Sequence, residues 1–199
     1  SAVLDGEDVF AVMPTGSGKS LCYQLPAVLG DGLTIVVSPL IALMANQVAQ
    51  LRANGISAAA LNSSLTWDET RALRDDVSAG RLKLLYIAPE RLMMAETQRL
   101  LAAAGVARLA VDEAHCISQW GHDFRKEYLA LGDIQEALGA PQVIALTATA
   151  DVATRSDIVA RLFRREPRIF VHGFDRPNIR LAIRRKDGAG SQIAAFLEE

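Results

Sequence analysis

Residues 13–20, Met-Pro-Thr-Gly-Ser-Gly-Lys-Ser, lie between an apolar run at 8–12 and a helix-compatible segment that opens at Leu21. Their order is strand, glycine turn, helix start. In such a loop the glycines let successive backbone N–H groups converge on phosphate oxygens, and the start of the helix adds partial positive charge. A chain built this way needs a buried strand that ends at an anion-binding turn. Thr15, Gly16, Ser17, Gly18, Lys19 and Ser20 are therefore the expected nucleotide-binding residues. Lys19 would reach the outer phosphates, and the Ser20 hydroxyl would ligate Mg²⁺.

The Gly-Lys-Ser ending fits the generic P-loop pattern, but Met13 stands where that pattern has its first glycine. A plain glycine-rich turn with one exposed lysine is the alternative. It accounts for neither the strand before the turn nor the hydroxyl after it.

Further apolar runs recur at 33–37, 58–61, 82–87, 109–111, 143–146 and 169–171, each separated from the next by enough chain for a crossover. The pattern predicts an α/β fold with a mostly parallel sheet. The runs are apolar on both faces, as expected where helices cover both sides of the sheet. Helical spacing begins at Ile41 and ends at Gly55. Thr66 and Glu69 form a capping-box start for a helix running toward Gly80, and Asp151 is placed to cap a helix through Leu162. Ligands in such folds gather at the carboxyl ends of strands. Ser38-Pro39, Pro89-Glu90, Asp112-Glu113 and Thr147-Ala148-Thr149 all fall at predicted strand exits.

At 199 residues, half of them hydrophobic, the chain suits one α/β domain with an appendage. The expected domain covers residues 1–174, with 175–199 as linker toward a further domain, since 175–178 and 187–190 read as turn material. No run of about 18 apolar residues and no basic-then-apolar leader is present, so neither a membrane partner nor a signal peptide is expected. An intracellular protein follows, with Cys22 and Cys116 as reduced thiols and no zinc site. The formal net charge of −2 argues against a uniformly basic nucleic-acid binder. It conceals a basic cluster of Arg161, Arg164, Arg165, Arg168, Arg176, Arg180, Arg184, Arg185 and Lys186. That cluster is either a nucleic-acid contact or a solvated face or inter-domain contact.

Asp112 and Glu113 follow the run at 109–111, where one carboxylate would support Mg²⁺ with Ser20 and the other would act on the attacking water. A lone acidic pair is usually a solvated turn. Behind a buried strand in a chain with a phosphate loop, two separate roles fit better. His115 reads as a structural histidine or as a group on the γ-phosphate side. Downstream, Trp120 and Phe124 offer flat faces for bases and Arg125 a phosphate or cation–π contact. Packing of both aromatics in the core is the alternative, but the interleaved Gly, His, Asp and Arg disfavour it.

Taken together, MPTGSGKSLCYQ at 13–24, VVSPLIALM at 36–44, YIAPERL at 86–92, DEAHCISQWGHDFR at 112–125, ALTATA at 145–150 and FDRPNIR at 174–180 resemble the first motor domain of the RecQ family of superfamily 2 DNA helicases. The resemblance spans nearly the whole chain, includes methionine at position 13, and is strongest to bacterial members. It implies a RecA-like domain that uses ATP and Mg²⁺ to drive 3'-5' movement on single-stranded DNA and duplex unwinding in repair and recombination. Lys19, Asp112, Glu113 and His115 would be its catalytic residues. Ser118, Gln119, Trp120, His122, Phe124 and Arg125 would form the loop that couples DNA binding to hydrolysis. Thr147 and Thr149 would link nucleotide state to DNA grip, and their alternative is capping of the next helix. Ser38, Pro39, Pro89 and Arg91 would track the strand through backbone N–H groups and a guanidinium, with ion pairing as the alternative for Arg91. Lys126 departs from the family's usual proline.

The family's adenine-recognising segment would lie upstream of Ser1. Its second motor domain with an arginine finger, its zinc-binding module and its winged helix would follow Glu199. The resemblance therefore implies an N-terminally truncated piece, largely inactive alone, whose partners are DNA and that second RecA-like domain. A cytoplasmic, nucleoid-associated location goes with it. The alternative function is a nucleotide-regulated interaction module without unwinding.

Overall fold

A computed structural model describes residues 2–120, 123–173, 183 and 185–198. His122, Phe174, the turn expected at 175–178, and Arg176, Arg180 and Arg184 of the basic cluster lie outside the described residues.

The chain alternates strands and helices. It runs through β1 (Val9–Val12), α1 (Leu21–Leu29), β2 (Leu33–Val37), α2 (Ile41–Ala53), β3 (Ala58–Leu61), α3 (Trp67–Ser78), β4 (Leu84–Ile87), α4 (Pro89–Leu92) and α5 (Ala95–Ala104). It continues through β5 (Val106–Val111), a 3₁₀ turn (Ala114–Ile117), α6 (Lys126–Leu129), α7 (Leu131–Ala137), β6 (Gln142–Thr147), α8 (Val152–Leu162), β7 (Arg168–Val171) and α9 (Ala189–Glu198). The strands form one sheet in the order β3-β4-β2-β5-β6-β1-β7, every pair parallel. The expected α/β architecture is thus present, and among the described residues the sheet is wholly parallel.

Strand alternation divides the interior into two cores. Val9, Ala11, Val36, Tyr86, Ala110 and Ile144 pack with Tyr23 and Ala27 of α1 and with Met44, Val48 and Leu51 of α2. Phe10, Val12, Ile35, Val37, Leu85, Leu109 and Val111 pack on the other face with Leu73 and Val77 of α3, Leu101 of α5 and Ile158 of α8. Because both faces are covered, the inner strands are apolar along most of their length, with Thr34, Arg108, Gln142 and Thr147 as exceptions. β7 departs from this expectation: at an edge of the sheet and, among the described residues, paired only with β1, it leaves Ile169, Phe170 and Val171 exposed, unlike the other edge strand β3.

The caps behave as read from the sequence. The Thr66 hydroxyl accepts from the Glu69 N–H while the Glu69 carboxylate accepts from the Thr66 N–H, a complete capping box. Asp151 accepts from the Thr154 N–H at 2.7 Å. One reading is overturned, and one alternative is favoured for part of the basic cluster. Ala189 and Gly190, read as linker, open helix α9. Arg161, Arg164, Arg165 and Arg168 pair with Asp157, Asp133, Asp8 and Glu7 respectively, so this part of the basic cluster is a face of ion pairs.

The parallel register aligns the strand exits. Leu61 faces Ile87, Ile87 faces Val37, Val37 faces Val111, and Val12 faces Thr147. Every loop expected to be functional therefore opens on one edge of the sheet.

Candidate nucleotide site and its aromatic loop

The loop at 13–20 turns sharply between β1 and α1. Gly16 and Gly18 sit at φ +82° and +81°, in the left-handed region that a side chain would strain. Ser17 Oγ donates to the Pro14 carbonyl at 2.6 Å and closes the turn. Lys19 Nζ folds back toward the carbonyls of Met13 and Pro14, at 3.2 and 3.4 Å, so it lies across the mouth of the loop. Ser20 heads α1 without using its side chain as a cap, which leaves that hydroxyl out of the helix's own bonding.

Thr15, Gly16, Lys19, Ser20, Asp112 and Glu113 line one cleft. Ser38, Tyr23, Gln47 and Tyr86 also line it. The sequence reading missed the last three: Tyr23 lies one turn beyond Lys19, Gln47 lies within α2 and Tyr86 near the end of β4. Gln24 ties this floor together by donating to Gln47 Oε1 at 2.6 Å and to Tyr86 Oη at 2.9 Å. The Tyr23 and Tyr86 rings meet edge to face beneath.

Asp112 is buried at the exit of β5. Burial, reinforced by the neighbouring Glu113 charge, pushes its carboxyl up to about 6, while the Glu113 N–H and Lys19 pull the other way. Glu113 adopts φ 50°, ψ 47°, a left-handed conformation uncommon for a side-chain-bearing residue. The Tyr128 hydroxyl, donating to the Asp112 carbonyl at 3.2 Å, and the Cys116 N–H, donating to the Glu113 carbonyl, hold this turn. Backbone strain that the surroundings over-determine is characteristic of functional sites.

His115 links this turn to the exit of β6. Its Nδ1 lies 2.9 Å from Thr147 Oγ1 and 3.3 Å from a Glu113 carboxylate oxygen. The Thr147 hydroxyl donates to the Thr149 carbonyl at 3.1 Å, which assigns the ring proton to Nδ1. Glu113, His115, Thr147 and Thr149 are thus joined in one network. His115, Cys116 and Asp123 bring donor atoms within 4.8 Å of one another, although burial pushes the Cys116 thiol up to about 12 and Asp123 also pairs with Arg125 at 3.1 Å.

The aromatic loop returns to the same turn. The Arg125 N–H donates to the Cys116 carbonyl, and the Trp120 N–H donates to Ser118 Oγ at 3.2 Å. Ser118 is buried, Gln119 is exposed, and Phe124 and Arg125 are half-buried. Trp120 is 77% exposed, so core packing does not describe it. Lys126 is the first residue of α6, a position where proline is also favoured, so the departure leaves the loop's exit helical.

Ser38 and Pro39 follow β2, and Pro89 and Arg91 lie in α4 directly after β4. The Ser38 N–H donates to the Ile87 carbonyl and the Arg91 N–H to the Ala88 carbonyl, while Pro39 and Pro89 have no N–H. The two N–H groups available at these four positions thus already have backbone acceptors. Ser38 also lines the phosphate-loop cleft, its buried hydroxyl lacking a partner among the described residues.

A phosphate loop, a strand-exit acidic pair and a hydrogen-bonded link to the next strand define a nucleotide-dependent motor domain of the RecA-like type. The DEAD/DEAH box helicase family model matches residues 1–158, and the chain belongs to that family. Within it, the chain is 48% identical over 197 residues to ATP-dependent DNA helicase RecQ of Haemophilus influenzae, covering 99% of this chain and 32% of that protein. It is 42% identical over 198 residues to the probable ATP-dependent DNA helicase RecS of Bacillus subtilis, covering 99% of this chain and 40% of that protein. The chain thus spans about a third of the length of its bacterial relatives. Among solved structures, the Hef helicase domain of Pyrococcus furiosus superposes with a TM-score of 0.62 at 19% identity, over 89% of this chain and 38% of that one, a likeness of fold. Among the described residues no helix is long and apolar enough to cross a membrane.

Proposed function

We propose that this chain is the ATP-binding motor domain of a RecQ-type 3'-5' DNA helicase, converting ATP hydrolysis into movement along single-stranded DNA and duplex unwinding. The observation that carries this reading is the double tie between the aromatic loop and the acidic turn: Arg125 to the Cys116 carbonyl, and Tyr128 to the Asp112 carbonyl. A strand stacked on Trp120 would pull directly on the backbone that sets Glu113.

The cleft suits a magnesium–nucleotide. Two adjacent carboxylates with the buried one raised to about 6 make a place where added positive charge is favoured. Ser20 and Asp112 would hold Mg²⁺, which would supply charge neutralisation between the outer phosphates. Lys19 exchanges its two carbonyl contacts for phosphate oxygens. Glu113 positions and deprotonates the attacking water, and His115 carries its state to Thr147. The second RecA-like domain of the same protein would complete the cleft, and the reading places the protein with DNA in the cytoplasm.

ATP turnover by the full-length protein, measured with and without single-stranded DNA, tests the reading. Strong stimulation is expected. Turnover indifferent to DNA would favour a nucleotide-regulated interaction module instead.

A further inference from the structure

Three donor atoms of different chemistry converge between the acidic turn and the aromatic loop. His115 Nε2 lies 3.8 Å from Cys116 Sγ, and Cys116 Sγ lies 3.9 Å from Asp123 Oδ2. All three donors fall within 4.8 Å of one another. Around a tetrahedral zinc ion, bonds of roughly 2.3 Å to sulfur and 2.0–2.1 Å to nitrogen set those two donors about 3.6 Å apart. The His115–Cys116 pair is thus close to ligand spacing, and Asp123 needs only a small side-chain adjustment to join it.

The surroundings of each donor favour the same role. The proton assigned to His115 Nδ1 faces Thr147 Oγ1 at 2.9 Å and a Glu113 carboxylate oxygen at 3.3 Å, so the Nε2 lone pair is left on the side of Cys116. A carboxylate behind one ring nitrogen, with the other presented to the ion, is the outer-sphere arrangement of metal-ligating histidines. Arg125 holds Asp123 at 3.1 Å, and a carboxylate has about four acceptor sites, so that pair leaves room for an ion. His115 and Cys116 are buried whereas Asp123 is exposed, which gives an ion a way in from the loop side. Burial keeps the thiol protonated by itself, but a dication beside it displaces that proton to solvent. One thiolate, one imidazole and one carboxylate suit zinc, whereas Mg²⁺ seeks oxygen alone.

We propose that His115 Nε2, Cys116 Sγ and the Asp123 carboxylate form a three-ligand Zn²⁺ site, with water as the fourth ligand, and that zinc bound there is a brake. The ion ties the aromatic loop at Asp123 to the acidic turn at His115, so a strand on Trp120 no longer moves the backbone that sets Glu113. No paired Cys or His spacing announces the site, because its third ligand lies in the loop seven residues beyond Cys116. The braking rests on the reading of the chain as a DNA-driven motor; the site itself does not.

Cobalt(II), which substitutes for zinc and reports thiolate bonding by a charge-transfer absorption band, is titrated into the full-length protein without nucleotide. The band should appear in the parent and in Cys22→Ser, and its increment should be absent from Cys116→Ala. Each variant is compared with the parent, so thiolates outside residues 1–199 cancel. Asp123→Ala alters only an exposed side chain, and it should weaken cobalt binding at least about tenfold, since even outer-sphere changes cost about 10- to 100-fold. No new band, or one that Cys116→Ala and Asp123→Ala leave undiminished, overturns the site. In turnover assays, Zn²⁺ should lower the ratio of DNA-stimulated to basal rate in the parent about 5- to 150-fold, the usual range of coupling between two sites, and should spare the ratio in Cys116→Ala. Equal loss in both proteins overturns the brake. A cobalt band with the expected dependence in a protein whose turnover ignores DNA leaves the site standing and sinks the motor reading together with the brake.

Discussion

Replacing Asp112 with asparagine is expected to stabilise the fold at neutral pH while abolishing turnover. Asp112 is buried, and its carboxyl is raised from an ordinary 3.8 to about 6, first by burial and then by Glu113. Between pH 4 and 6 the native state therefore holds a proton that the unfolded chain has released. Stability falls as pH rises through that window and stays at the lower level above it. Holding the carboxylate ionised at pH 8 costs about 3 kcal/mol. Asparagine removes that cost and keeps an oxygen to accept the Glu113 N–H that now donates to Asp112 at 3.0 Å. Urea denaturation in the presence of EDTA should show the variant about 3 kcal/mol more stable than the parent at pH 8. Near pH 4 the two should converge. Adding Mg²⁺ at pH 8 should stabilise the parent and leave the variant unmoved. A variant that is equally or less stable at pH 8, or a gain that persists at pH 4, would refute the assignment of a strained, cation-seeking carboxylate.

Two further outcomes follow from the same cleft. Glu113→Gln should retain Mg²⁺-ATP binding and lose turnover, whereas Lys19→Ala should damage both, because the lysine contacts phosphate in the ground state as well; nucleotide titration beside steady-state kinetics separates them. Thr147→Val removes the hydroxyl that meets His115 and Thr149, and it should reduce DNA stimulation of hydrolysis by tenfold or more while basal turnover changes little, an outcome read from the ratio of the two rates.

Much of this was legible in the residues because the signals are local. The phosphate loop, the capping box at Thr66, the N-cap at Asp151, and the double-faced apolar strands each depend on a few neighbours in sequence. What escaped depends on distant partners. β7 resembles the buried strands in composition, yet at the sheet's edge its Ile169 to Val171 are exposed, whereas the other edge strand β3 is covered. Helix α5 is alanine-rich, and Thr97 and Leu101 mark its buried face only once α3 lies against it. The left-handed Glu113 has no sequence signature, since its turn is held by Tyr128, fifteen residues on. Tyr86 and Gln47 join the cleft through Gln24 on a third element. The bonding of the Ser38 N–H was hidden for a similar reason: its acceptor, the Ile87 carbonyl, lies on β4.

The central claim is that DNA occupancy of the 118–125 loop governs the acidic turn. Trp120→Ala in the full-length protein, assayed for ATP turnover with and without saturating single-stranded DNA, tests it most directly. Because Trp120 is 77% exposed, the variant should melt with the parent, keep its basal rate, and lose most of the DNA-stimulated rate. A variant stimulated by DNA as strongly as the parent would contradict the account.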